Sequence, residues 1–197
     1  MNRKLQLTAF LLYYVGMNYF IASDIHGSYK YCQLMYQRFL EEKADKILLL
    51  GDILYHGPRN DLPEEYAPKK VIELLNPLKD KILCVRGNCE AEVDQMVLDF
   101  PCMADYLILE GGKLPVYATH GHHYNPKTPF PGAKDYILLH GHTHIPAKEK
   151  YEDFYYLNPG SVSIPKENSC HSYMTFDGTT FTWKDIETGK AYDSLKI

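Results

Sequence analysis

Residues 18–52 read NYFIASDIHGSYKYCQLMYQRFLEEKADKILLLGD, the pattern of a strand, a loop, a helix and a second strand. Asn18 to Ser23 is short, apolar and rich in β-forming side chains, which predicts a strand. Ser28 is suited to cap a helix running through about Glu42, whose Tyr31, Leu34, Met35 and Leu40 form an apolar stripe. Lys46 to Leu50 is an unbroken apolar run, as expected of a strand covered on both faces. Each strand runs directly into polar residues, Asp24 and His26 after the first and Asp52 after the second.

Outward from this unit the rhythm repeats. Gly51 to Tyr66 is a loop rich in Gly, Pro, Asn and Asp, and Pro68 suits the first turn of a helix ending near Leu75. Ile82 to Val85 predicts a third buried strand, followed by the loop Arg86-Gly87-Asn88-Cys89 and a helix over Glu90 to Leu98. Beyond Pro101 the pattern turns mostly β. Strands are predicted over Asp105–Leu109, Leu114–Thr119 (after a turn at Gly111 and Gly112), Tyr136–Leu139, Tyr155–Leu157, Tyr173–Phe176 and Thr180–Trp183, the last two joined at Asp177-Gly178. The class is α/β with a second sheet. No repeat or linker divides residues 17–197, which are expected to form a single domain.

Residues 1–16 stand apart. Arg3 and Lys4 precede an apolar run from Leu5 to Val15 that superficially looks like a signal peptide, but no small-x-small site follows and the run is too short to span a bilayer. The expectation is a packed extension, or an upstream start before Met17, and no membrane association. The chain of 197 residues is 45% apolar and 23% charged with a formal charge of −4, which gives no basic track for long nucleic acid. Five widely spaced cysteines without a C-x-x-C pair predict neither a disulfide framework nor a structural zinc knuckle, and so a reducing, cytoplasmic setting. The 17 tyrosines leave a homo-oligomer open.

The chemistry lies in where Asp, Asn and His fall. Asp24 and His26, Asp52, Asn88, His120, and His142 and His144 each follow a predicted strand, on the rim where α/β sheets gather ligands. Any one of them alone is an ordinary turn residue. Together they supply enough oxygen and nitrogen donors for two ions, and the mixture suits manganese, iron, zinc or cobalt better than magnesium or calcium.

The ordered motifs Asp24-x-His26, Gly51-Asp52, Gly87-Asn88, His120-Gly121-His122 and Gly141-His142-x-His144 resemble those of the calcineurin-like metallophosphoesterases. The longer stretches GDILYHGPRNDLPEEYAP, VRGNCEAEVDQM, HGHTHIP and NPGSVSIPK resemble the YfcE-type bacterial phosphodiesterases from about Met17 nearly to the end. The resemblance implies a four-layer α/β/β/α sandwich of two mixed sheets and activity on small phosphodiesters. It also implies two divalent ions, commonly manganese, with zinc, iron, nickel and cobalt open. Carried over by position, Asp24, His26 and His144 would bind one ion, Asn88, His120 and His142 the other, and Asp52 both.

Two such ions acidify a shared water and clamp the phosphate, so that a hydroxide held between them attacks phosphorus in line with the leaving oxygen. The wider superfamily commonly places His after the Gly-Asn of its third motif, where this chain has Cys89. A thiol is a weaker donor than an imidazolium, which predicts a preference for good leaving groups; a small packing residue is the alternative role for Cys89. His122 and His56 are expected to orient a neighbouring group or touch phosphate, while His123, His140 and His171 are expected to be structural. Arg59 and Arg86 flank the site, where a solvated arginine is the commoner outcome. Relatives that use this fold as a docking scaffold define the competing, non-catalytic reading.

Overall fold

The structure is a computed structural model that describes residues 16–110 and 112–197, and the backbone of residues 9–13. The strands are β1 (Ala9–Tyr13), β2 (Tyr19–Ala22), β3 (Lys46–Leu49), β4 (Ile82–Cys84), β5 (Tyr106–Glu110) and β6 (Val116–Thr119), then β7 (Tyr136–Leu139), β8 (Ala147–Lys150), β9 (Phe154–Asn158), β10 (Ser172–Phe176), β11 (Thr180–Asp185) and β12 (Ala191–Lys196). The helices are α1 (Tyr29–Glu42), α2 (Pro68–Leu75), continued by a 3-10 turn over Asn76–Lys81, and α3 (Glu92–Val97). Ser28 caps α1 as expected, its side chain accepting from Tyr31 N–H.

Two six-stranded mixed sheets result, ordered β12-β11-β10-β2-β3-β4 and β1-β5-β6-β7-β9-β8. The C-terminal strands β10 to β12 join the sheet of β2 to β4, so the second sheet is built from the middle of the chain and β1. Strand periodicity assigns the two layers of core. Phe20, Ala22, Ile47 and Leu49 face the helices, packing with Met35, Phe39, Val71 and Leu75. The alternate residues Ile21, Leu48 and Leu50 face the other sheet and cluster with its Leu107, Ala118, Ile137 and Leu139, and with Trp183 of their own sheet. A third apolar cluster covers the outer face of the second sheet, where Phe130 packs on Tyr106 and Tyr117 and stacks on Tyr124 at 4.0 Å. Its cover comes from the loop carrying Pro126, Pro129 and Pro131, residues that discourage a helix there.

Ala9–Tyr13, inside the segment set apart as an extension, pairs in parallel with Tyr106–Glu110 at the edge of the second sheet. The remaining expectations for residues 1–8 and 14–15, and the Gly111 half of the Gly-Gly turn, fall outside the described residues. Among the described residues no helix is long and apolar enough to cross a membrane.

β2, β3 and β4 run parallel, so the loops holding Asp24 and His26, Asp52, and Asn88 leave the same edge of one sheet. β6, β7 and β9 are parallel in the other sheet, and bring His120, His142 and His144, and the segment after Asn158 to the facing edge. Between these edges lies the candidate site.

Candidate metal centre

Tight backbone turns aim the polar side chains inward. Asp24, His26, Asp52, His142 and His144 all have positive φ, between 49° and 66°. Such conformations are costly for residues with a Cβ and persist where the surroundings hold them. Asp24 N–H bonds Gly51 C=O and His26 N–H bonds Asp52 C=O, lacing the first two loops together. At Gly141 a Cβ would run into Ser23 Oγ and Asp24 Oδ2, and only glycine lets the two sheets approach this closely.

Three histidines are locked in one tautomer. His26 Nδ1 lies 2.8 Å from Tyr55 O, His120 Nδ1 2.6 Å from Leu50 O and His144 Nδ1 2.7 Å from Ile164 O. A carbonyl only accepts, so each Nδ1 carries hydrogen and, in a neutral ring, each Nε2 presents a lone pair. Those lone pairs converge. His26 Nε2 and His144 Nε2 stand 3.2 Å apart, and lie 3.5 and 3.3 Å from Asp24 Oδ1, a buried atom with no hydrogen-bond partner. His120 Nε2 faces His142 Nδ1 at 3.2 Å and Asn88 Oδ1 at 3.1 Å. Asp52 Oδ2 stands between the two groups, 3.7 Å from His26 Nε2 and 3.4 Å from His120 Nε2.

Acceptors so close together need cations or protons among them, and this donor set fits divalent metal ions. Without metal the site draws in protons. Burial lowers the His120 pKa, but Asp52 and Asp24 more than offset it and raise it to about 9. The Asp24 carboxyl is held well below its usual range against the opposing effect of burial, because the His144 and His26 rings stand beside it.

The surroundings hold these groups in place. Asp24 Oδ2 accepts from Ser23 Oγ at 2.6 Å and His142 N–H at 2.9 Å, while Ser161 and Ser163 hydroxyls bond its backbone carbonyl at 2.8 and 3.0 Å. Asn158 donates to Gly141 C=O and Thr143 Oγ1, bracing the loop of His142 and His144. The Asn158–Ser161 segment, which carries no chemistry legible in sequence, therefore positions the site.

Glu90 was missed as well. It precedes α3 instead of starting it, is 4% exposed, and its carboxylate accepts from Asp52 N–H (2.9 Å), Ile53 N–H (2.7 Å) and Gly87 N–H. Burial and the nearby Asp52 push its pKa up to about 7. The only available hint was an acid placed directly after the Gly-Asn-Cys loop.

Cys89 lies beside this group. Its N–H donates to Asp52 Oδ1 at 2.9 Å, and Asn88 Nδ2 approaches its sulfur at 3.3 Å. Burial, then Asp52, raises the thiol pKa, so it stays protonated at neutral pH. His122 is neutral too: burial, helped by His120, lowers it to about 3. Its ring stands 5.4 Å from His120 and 6.4 Å from His142, with Nδ1 buried and unbonded. His56 instead packs between Tyr55 and Tyr66, His171 stacks on Tyr31, His140 stacks on Tyr156, and Arg86 reaches Glu90 C=O at 3.4 Å. Arg59 lines the cleft over the centre.

Residues 17–180 match the model of the calcineurin-like phosphoesterase superfamily domain. The chain belongs to that family. Within it, the chain is 44% identical over 163 residues to phosphodiesterase YfcE of Escherichia coli K12, covering 82% of this chain and 88% of the relative. The solved structure of the E. coli phosphoesterase Yfce superposes with a TM-score of 0.88 at 39% identity, over 92% of this chain and 100% of that one. Wild-type Vps29 of Entamoeba histolytica, solved with zinc, shares the fold at a TM-score of 0.59 and 19% identity, over 91% and 99% of the two chains. Membership of this family, together with the clustered Asp and His donors, implies divalent metal ions as the cofactors of the site.

Proposed function

We propose that this protein is a phosphodiesterase that cleaves small phosphodiesters at a dinuclear centre, with manganese the first candidate for both ions and a cytoplasmic setting in keeping with its free cysteines. Asp24, His26 and His144 would hold one ion, Asn88, His120 and His142 the other, with Asp52 between the two groups. The observation that carries this is the convergence of His26, His144, His120 and His142 ring nitrogens on either side of Asp52 Oδ2, with three of the rings locked by backbone carbonyls.

When bound, the two ions supply Lewis acidity to the phosphate oxygens and lower the pKa of a water between them. The chain's part is to hold the phosphate and manage the leaving group. Buried Asp24 and Asp52 are kept ionised by their histidines, while Asn88 and His142 reach the cleft. The neutral Cys89 thiol is a weak donor in that cleft, and neutral His122, lining the neighbouring cleft that shares His142, offers a ring N–H without a full proton to give. Such a site favours esters whose leaving oxygen needs little protonation.

The test is hydrolysis of paired 4-nitrophenyl monoester and bis(4-nitrophenyl) diester by metal-stripped protein, with manganese, zinc, nickel or magnesium restored singly. Metal-restored cleavage that prefers the diester supports the assignment. Folded, metal-loaded protein that turns over neither ester points to a docking scaffold.

A further inference from the structure

A cleft of about 320 Å³ opens over the metal centre and is lined by Asp52, Asn88, Cys89, His142 and His144. Two exposed cations, Arg59 and Lys166, line it as well. Backbone ties each to a different half of the centre. Lys166 N–H bonds His144 C=O at 3.2 Å. The Arg59 turn, closed by Asn60 N–H to Gly57 C=O, leans on the other half, since a Cβ on Gly57 would sit 3.3 Å from Cys89 Sγ.

Neither cation has an acidic partner among the described residues, and the one carboxylate in the cleft wall is Asp52, already committed to the centre. Asp61 and Glu167, the nearest acids in sequence, do not line the cleft. The second cleft beside His142 differs: there Lys127 shares the wall with Glu149 and with Tyr151 and Tyr156.

Resting on the phosphodiesterase reading, we propose that Arg59 and Lys166 form a subsite for a second anionic group on the substrate. The preferred substrate is then a phosphodiester one of whose arms ends in a carboxylate or a further phosphate. The scissile phosphate of a diester carries a single charge, spent at the metal centre, so two unpaired cations beyond it select for another anion. Exposed ion pairs are individually weak, so the two together give an affinity gain of about tenfold. Being exposed, the effect weakens with salt.

The test measures binding of non-hydrolysable phosphinates, singly charged like a diester, to the manganese-loaded protein by titration calorimetry. Methyl(alkyl)phosphinates with alkyl chains of two to five carbons are compared with the same chains ending in a carboxylate or in a phosphonate, in the wild type and in Arg59→Gln/Lys166→Gln. The expected result is an affinity ratio of about tenfold for the anion-tipped chains, falling toward one in the double variant and at high salt. The better of the two tips identifies the natural anion. Equal binding of neutral and tipped chains by the wild type, or a ratio the double variant leaves intact, overturns the subsite. Discrimination without cleavage of any diester leaves the subsite standing and removes the phosphodiesterase reading; cleavage without discrimination does the reverse.

Discussion

Glu90 touches no candidate ligand atom, yet it accepts three backbone N–H groups that shape the loops of Asp52 and Asn88. Glu90→Gln keeps the volume and removes one acceptor. With the amide oxygen in the place of Oε2, the Asp52 and Gly87 N–H groups stay bonded and the NH2 is forced against Ile53 N–H; the flipped amide leaves two N–H groups unpaired instead. One buried unpaired donor costs about 1–3 kcal/mol. At about 2–4 °C per kcal/mol for a chain of this size, the melting temperature falls by roughly 2–12 °C. Misplacing a group that orients a metal ligand costs about 10–100-fold in metal affinity. The assay is thermal unfolding of stripped protein at pH 8, above the Glu90 pKa of about 7, beside a manganese titration of both forms. A lower melting point with unchanged manganese affinity would refute the positioning role, and no change in either would refute the hydrogen-bond account of the loop.

Cys89→His should raise turnover of esters with poor leaving groups by about tenfold or more over its effect on nitrophenyl esters, because an imidazolium protonates better than a thiol; equal effects across a leaving-group series would contradict this. Gly141→Ala should abolish metal binding, read by metal analysis of the purified protein, because its Cβ collides with Ser23 and Asp24. His120 has its pKa raised to about 9 in the metal-free protein, so metal must displace its proton and apparent affinity should fall as pH drops below that value. Proton release on manganese addition at pH 7, measured with an indicator dye, checks this, and no release would count against it. The same raised pKa stabilises the stripped protein fully below the ordinary 6.5 and is lost as pH rises through about 9, which pH-dependent melting of the stripped form follows.

The first α/β units were legible because β2, β3 and α1 carry strong, local apolar patterns, and the candidate ligands because each directly follows a strand. The strands left unread lack such patterns. β8, Ala147–Lys150, is an edge strand with three exposed residues of its four, and β12, Ala191–Lys196, has four exposed residues of its six and sets only Leu195 as an apolar residue against the core, so neither carries a clear apolar alternation in sequence. β1 owes its place to pairing with β5, far along the chain. Nor does sequence disclose which sheet β10 to β12 join, since local periodicity carries no partner. Within the site, Glu90, Ser161 and Ser163 were invisible for a similar reason. Their value lies in backbone groups of other loops, which only the assembled fold brings within reach.

If two ions act together across Asp52, turnover requires both. Manganese is titrated into stripped protein while hydrolysis of bis(4-nitrophenyl) phosphate is followed, in the wild type and in Asp52→Asn. Activity is expected to rise to a plateau at two equivalents per chain and to be lost in the variant at any manganese concentration. A plateau at one equivalent, or full activity in Asp52→Asn, would contradict it.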